Sequence, residues 1–166
     1  IIPGVGTFDK GVKALKSSGL FDPIIQKVSN GTTPILGICL GMHLLCQTSE
    51  EGNERGLGLI DALVERFQFP KNPLLKVPHM CWNTVTTMKR NPLLLADGLE
   101  QRFYFVHSYY VTPVNHDDVV GESAYPETFT VALAKQNVFA VQFHPEKSQT
   151  VGLQLYKNFL EYECHH

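Results

Sequence analysis

The pentapeptide Gly37-Ile38-Cys39-Leu40-Gly41 constrains this chain more than any other feature. It follows the apolar run Thr33-Pro34-Ile35-Leu36 and precedes 42–47, which opens like a helix. A glycine on each side of a reactive residue fits a nucleophile elbow, in which strand 34–38 turns sharply into a helix beginning near Leu40. Strain at such a turn pushes the Cys39 sulfur into the open, and strand and helix crowd so closely that both flanking positions must lack side chains. The helix start is expected to favour thiolate over thiol and to aim the Leu40 backbone N–H at an oxyanion forming beside the sulfur. Out of context, Cys39 would read as a small buried hydrophobe, as most intracellular cysteines are.

His144-Pro145-Glu146 supplies the context. Residues two apart in an extended segment leave the same face, and Pro145 enforces extended backbone, so a carboxylate lies beside an imidazole. The preceding run Val138-Phe139-Ala140-Val141-Gln142-Phe143 reads as a buried strand, which places the pair at a strand end, where sheet enzymes keep their chemistry. Cys39 then reads as a nucleophile. His144 is the base that takes its proton and later protonates a leaving amine, and Glu146 fixes the imidazole tautomer. An α/β-hydrolase would run nucleophile, acid, histidine; here histidine and acid are almost adjacent and the acid comes last.

Residues 37–42 together with Phe143-His144-Pro145-Glu146 resemble the class I, triad-type glutamine amidotransferases. Three further stretches narrow the resemblance to the glutaminase subunits of imidazole glycerol phosphate synthases, over 2–159: Pro3-Gly4-Val5-Gly6, 76–83 (Lys-Val-Pro-His-Met-Cys-Trp-Asn) and 104–110 (Tyr-Phe-Val-His-Ser-Tyr-Tyr), with 143–149 in agreement. The resemblance implies an α/β, flavodoxin-like fold: a mostly parallel sheet flanked by helices, with an antiparallel strand layer. It implies hydrolysis of L-glutamine to L-glutamate and ammonia through a Cys39 thioester, without metal or cofactor. The ammonia would pass, within a heterodimer, to a cyclase subunit with a (β/α)8 barrel that makes imidazole glycerol phosphate and AICAR in histidine biosynthesis. By the same resemblance Gly4, Val5 and Gly6 form the oxyanion strand opposite Leu40, His43 helps to hold substrate, and the backbone of His107, Ser108 and Tyr109 holds the backbone end of glutamine. Lys147, Trp82 and Met80 would face the cyclase. Two other readings stay open: a non-catalytic or inactive fragment that only binds, and a free-standing γ-glutamyl hydrolase.

The chain departs from the resemblance in three places. His43 stands where a substrate-holding glutamine is common, and differs from it in length and charge. Cys81 replaces a common glycine and adds a second thiol open to alkylation or oxidation if exposed. The sequence also opens inside a motif, at Ile1-Ile2 running into Pro3, so a preceding βαβ unit of roughly 30 or more residues is expected to be missing.

At 166 residues with 43% hydrophobic content the chain suffices for one domain, expected over 1–163. A charged fraction of 18% with net charge −2 argues against nucleic-acid and membrane surfaces. Cysteines at 39, 46, 81 and 164 have no zinc-type spacing and read as reduced and cytoplasmic. Cys164, His165 and His166 could bind a metal but read better as a tail left by a purification tag.

Helical spacing predicts helices over 8–16 and 20–28, closed by Asn30-Gly31. Strands are expected over 62–67, 84–88, 102–107 and 118–121, then a hairpin of 130–134 and 138–143 joined near Gln136-Asn137. A final helix presents Val151, Leu153, Leu155, Tyr156, Phe159 and Leu160 as one apolar stripe. The run 50–55 (Glu-Glu-Gly-Asn-Glu-Arg) reads as a solvated loop, with a minority reading near the pocket. Of the rings at 103–105 and 109–110, some are expected to cover the pocket or meet the partner.

Overall fold

Apolar residues four apart put Phe8 and Val12 on one buried face of α1 (Phe8–Ser17). The next helix, α2 (Phe21–Ser29), ends at Asn30, and Gly31 takes the left-handed conformation that such a terminus needs, at φ +78°. The computed structural model describes residues 1–69, 74–94 and 100–162. From β1 (Ile35–Ile38) the chain enters α3 (Leu40–Leu45) directly. There follow β2 (Thr48–Ser49), β3 (Ala62–Arg66), β4 (His79–Thr87), β5 (Glu100–His107), β6 (Tyr109–Pro113), β7 (Val119–Ala124), β8 (Thr128–Lys135), β9 (Val138–Val141) and α4 (Gln149–Leu160). The residues expected to form a tail, Cys164 to His166, lie outside the described ones.

The strands form one sheet in the order β2-β3-β6-β8-β7-β4-β5, with β9 alongside β8 and β1 alongside β9. Parallel pairing is confined to two places: Ile2, β1 and β9 around the elbow, and β2 with β3. All other pairs are antiparallel. Both faces of β1 are covered, as a parallel strand under helices requires, and its four residues are all buried. The β8–β9 hairpin turns at Gln136, which has φ +53°. Asn137 then anchors the turn, its side-chain amide donating to the carbonyls of Val28 and Thr33 at 2.9 and 2.7 Å.

The structure moves several expected boundaries. β9 stops at Val141, and Gln142 to His144 leave its ladder: the Gln142 N–H bonds Val131 O and the His144 N–H bonds Tyr104 O, both at 2.9 Å. β4 begins at His79 rather than 84, because the whole motif 79–83 pairs with 103–107 of β5. β6 was not anticipated. It follows a single break at Ser108 and pairs with β3 from Ala62↔Pro113 to Arg66↔Tyr109. The expected stripe of α4 is narrower: Gly152, Leu155 and Phe159 are buried, whereas Leu153 and Leu160 are 70% and 76% exposed. Among the described residues no helix is long and apolar enough to cross a membrane.

The α4 orientation is testable. Leu155→Ala should cost about 3 kcal/mol of stability in urea denaturation, whereas Leu153→Ala should stay within about 0.5 kcal/mol. Equal losses would contradict the burial pattern.

Candidate active site

Cys39 has φ +52° and ψ −108°, a conformation an L-residue adopts only when its surroundings enforce it, at a cost of about 1–3 kcal/mol. Those surroundings are close. A Cβ on Gly37 would stand 2.6 Å from Gly41 O and from Leu45 Cδ1, and a Cβ on Gly41 only 1.8 Å from Ile2 O. The Cys39 N–H bonds Val141 O at 2.8 Å, while its carbonyl accepts from Met42 N at 3.0 Å and starts α3. The elbow read from the sequence is therefore built, with Ile2 wedged against the helix start.

His144 Nδ1 lies 2.6 Å from Glu146 Oε1. The carboxylate can only accept, so Nδ1 carries the proton and Nε2 offers a lone pair. That Nε2 is buried and has no hydrogen-bond partner. The thiol–imidazole hydrogen bond of a nucleophile–base pair is thus not made in this structure. Ser148 holds the segment: its hydroxyl donates to His144 O at 2.6 Å and accepts from Tyr104 N at 3.1 Å. α4 presses on it from behind, since a Cβ on Gly152 would meet Pro145 O at 1.8 Å.

The helix start does pull the Cys39 thiol downward, as expected, but burial outweighs it. Burial pushes the Cys39 thiol up to about 11, with Glu146 adding in the same direction. The Leu40 N–H, a side-chain hydrogen bond from Gln142 and the charge of Lys147 pull the other way without prevailing. A six-residue helix does not outweigh desolvation.

A cleft of about 310 Å³ opens beside the sulfur, lined by Val5, Gly6, Cys39, Leu40, His43, Glu51, Pro78, Val106, His107, Ser108 and Tyr109. Seven expected oxyanion and substrate residues thus meet around Cys39. Gly4 does not line the cleft but packs beneath it on Leu40, whose Cβ a methyl there would meet at 3.2 Å. Of the remaining lining residues, Pro78, Val106 and Glu51, Glu51 brings a charge and falls in the run 50–55, in line with its minority reading near the pocket. The loop that carries it is tied to α1, not merely solvated: Glu51 Oε2 accepts from Phe8 N at 2.8 Å, Asp9 accepts from the N–H groups of Asn53 and Glu54, and Lys16 pairs with Glu54 at 2.6 Å. Gln142, which the sequence reading took only as part of a strand, also belongs to the site. Its Oε1 lies 2.8 Å from His43 Nε2 and its Nε2 3.9 Å from Cys39 Sγ. A single amide in an otherwise apolar run was the available signal.

A family model described as "Glutamine amidotransferase class-I" matches residues 1–162. The chain belongs to that family. Among its relatives, the imidazole glycerol phosphate synthase subunit HisH 2 of Pseudomonas aeruginosa is 47% identical over 161 residues, covering 97% of this chain and 79% of that protein. The HisH 2 subunit of Methanococcus maripaludis is 47% identical over 163 residues, with the same coverage. A crystal structure of a glutamine amidotransferase shares the fold, with TM-score 0.70 at 22% identity over 96% of this chain and 75% of that one.

The rings expected to serve this amidotransferase's pocket divide. Phe103 and Phe105 are core, Tyr109 lines the cleft, and Tyr104 lies under Lys147 Nζ at 5.6 Å and edge-on to Trp82 at 6.1 Å. Met80, 58% exposed, shares that strand face with Trp82, so the three residues assigned to a partner stand on one surface. His79 and His107 are buried and bond each other, Nδ1 to Nε2, at 3.0 Å. His107 Nδ1 faces Tyr109 O at 2.7 Å, so it carries the proton; His79 then donates from Nδ1 and accepts at Nε2 from Asn83 and from the exposed thiol of Cys81, each at 3.2 Å. Both nitrogens of the His107 ring are thereby occupied. Among the described residues no three His, Cys, Asp or Glu side chains gather to hold a metal.

Burial lowers His43 and His79 to about 4 and His107 well below its ordinary value. The unfolded chain therefore binds protons from about pH 6.5 downward that His43 and His79 of the folded chain refuse until near 4 and that burial makes His107 refuse as well. Stability should fall through that window, by about 1.4 kcal/mol per pH unit for each imidazole. Urea unfolding at pH 7 and pH 5 checks this, and equal stabilities would mean the rings are charged when folded.

Proposed function

We propose that this chain hydrolyses L-glutamine to L-glutamate and ammonia as the glutaminase subunit of an imidazole glycerol phosphate synthase. The observation that carries the reading is the buried, unpartnered Nε2 of His144, held in its basic tautomer by Glu146 beside a cleft that contains Cys39. Cys39 gives its proton to His144 Nε2 and attacks the side-chain carbonyl of glutamine. The oxyanion forms within reach of the Leu40 N–H and of the backbone of the Val5 loop, where Gly6 at φ +115° gives the peptide freedom to turn. His144 passes the proton to the amide nitrogen, ammonia leaves, and the thioester is hydrolysed by water, which returns the thiol.

At the other end of the substrate, Glu51 is suited to its α-ammonium. Oε2 is already bonded to Phe8 N–H, and the carboxylate borders the cleft. The backbone of His107 to Tyr109 is suited to the carboxylate end.

A thiol held near 11 and a base without its hydrogen bond describe a site at rest. Such a site fits an enzyme whose ammonia is wasted unless a partner stands ready to receive it. The partner of this reading is a cyclase subunit with a (β/α)8 barrel, meeting the surface of Met80, Trp82 and Lys147. It uses the ammonia to form imidazole glycerol phosphate and AICAR.

Glutamate release should be nearly silent with the chain alone, rise with a cyclase subunit and its ribonucleotide ligand, and vanish in Cys39→Ala. Equal activity without the partner would favour a free-standing hydrolase; none in any mixture would favour a subunit that only binds. Glu51→Gln keeps an acceptor for Phe8 N–H while removing the charge. It should raise KM for glutamine about tenfold with kcat little changed.

A further inference from the structure

We propose that Gln142 is a positioning residue for attack by Cys39, its amide turned by His43 so that the NH2 group donates to the sulfur when it ionises. The proposal rests on the glutaminase reading for its purpose but not for its geometry. Gln142 is wholly buried and His43 almost so, and neither side chain has bulk water to satisfy it. The amide oxygen of Gln142 faces His43 Nε2 at 2.8 Å, and the amide nitrogen faces Cys39 Sγ at 3.9 Å. An amide oxygen only accepts, so this pair requires His43 as the neutral Nε2–H tautomer, and in that arrangement the donor half of the amide faces the sulfur.

The Gln142 backbone is fixed as well, through its N–H to Val131 O at 2.9 Å. A bond of 3.9 Å to a neutral thiol is weak. It shortens and strengthens when the sulfur carries charge, which is the moment at which the reaction needs it.

The charged and titratable groups around the sulfur come from every side. Glu146 and Lys147 follow His144 on the turn before α4, His43 lies on α3, His107 on β5, and Glu51 borders the same cleft. Glu146 opposes ionisation and Lys147 favours it, while His43 and His107 are neutral by burial. Besides the imidazolium that His144 becomes on taking the proton, the described residues offer the thiolate two neutral donors, the Leu40 N–H and the Gln142 amide. His43 stands where the resemblance leads one to expect glutamine. In this chain its Nε2 is directed at Gln142, so its first duty is to orient that amide.

The test is the rate at which iodoacetamide alkylates Cys39, followed from pH 7 to 9 by mass spectrometry of the Cys39 peptide, since the exposed Cys81 competes for reagent. Gln142→Leu should displace the profile by about one pH unit, that is, about tenfold slower alkylation at a fixed pH. Gln142→Glu, nearly isosteric, should slow it further because its charge opposes the thiolate. His43→Leu should mimic Gln142→Leu, whereas His43→Gln restores a donor to Gln142 and should recover most of the wild-type rate.

A Gln142→Leu profile superimposed on wild type, or a His43→Gln profile as slow as His43→Leu, would overturn the proposal. Alkylation does not require glutamine turnover. Displaced profiles in a chain that releases no glutamate with any partner would keep the relay and remove the glutaminase reading. Where turnover is present, the loss in Gln142→Leu should fall on kcat rather than KM.

Discussion

The close approach of three backbone segments at Cys39 is the constraint on which the site depends. Ile2 lies against Gly41, Gly41 against Gly37, and Val141 closes the fourth side through its carbonyl. No side chain fits between them, so two glycines are obligatory and Cys39 is forced to a positive φ. The same contact orders the neighbourhood. It holds β1 in parallel pairing with Ile2 and β9, starts α3 at Leu40, and brings Gln142, just beyond the end of β9, to the sulfur's side. The strain at one residue is sustained by the packing of the sheet centre, where β1 and β9 are buried throughout.

Around this elbow the protein keeps its titratable groups neutral or paired rather than charged and isolated. Besides His144, three imidazoles are buried among the described residues, and each has a hydrogen-bond partner whose chemistry sets its tautomer: Gln142 for His43, His107 for His79, and Tyr109 O for His107. Ionising any of them inside the sheet would leave an uncompensated charge in a poorly solvated place, so burial wins and their proton affinities fall. Cys39 obeys the same rule in the opposite direction, as an acid whose charged form is disfavoured. At rest the sulfur and these three imidazoles are consequently neutral. The site therefore holds no thiolate in reserve.

Much of this was legible before the fold was known, because the chemistry sits in short local patterns. The two glycines around Cys39 announced the elbow, and the His-Pro-Glu spacing announced the paired imidazole and carboxylate, which indeed meet at 2.6 Å. Helical spacing located α1 and α2 closely, since amphipathic helices carry their burial pattern in the chain. The reading failed where a partner strand decides the outcome. Residues 79–83 look irregular alone and become strand because β5 pairs with them. Tyr109–Pro113 is strand because β3 accepts it, and α4 turns Leu153 and Leu160 outward although they are as apolar as the buried Leu155.

Residue types at fixed spacing dictate the candidate reacting groups, the backbone freedom each needs and the order in which they come. Tertiary structure alone decided the state in which those groups wait. A Cys39 thiol pushed upward, a His144 Nε2 left without a partner, a His43 ring directed at Gln142 and a Glu51 drawn to the cleft by α1 arise from segments tens of residues apart. Desolvation and hydrogen-bond partnership depend on what surrounds a group in space, and no local pattern of residues encodes that surrounding.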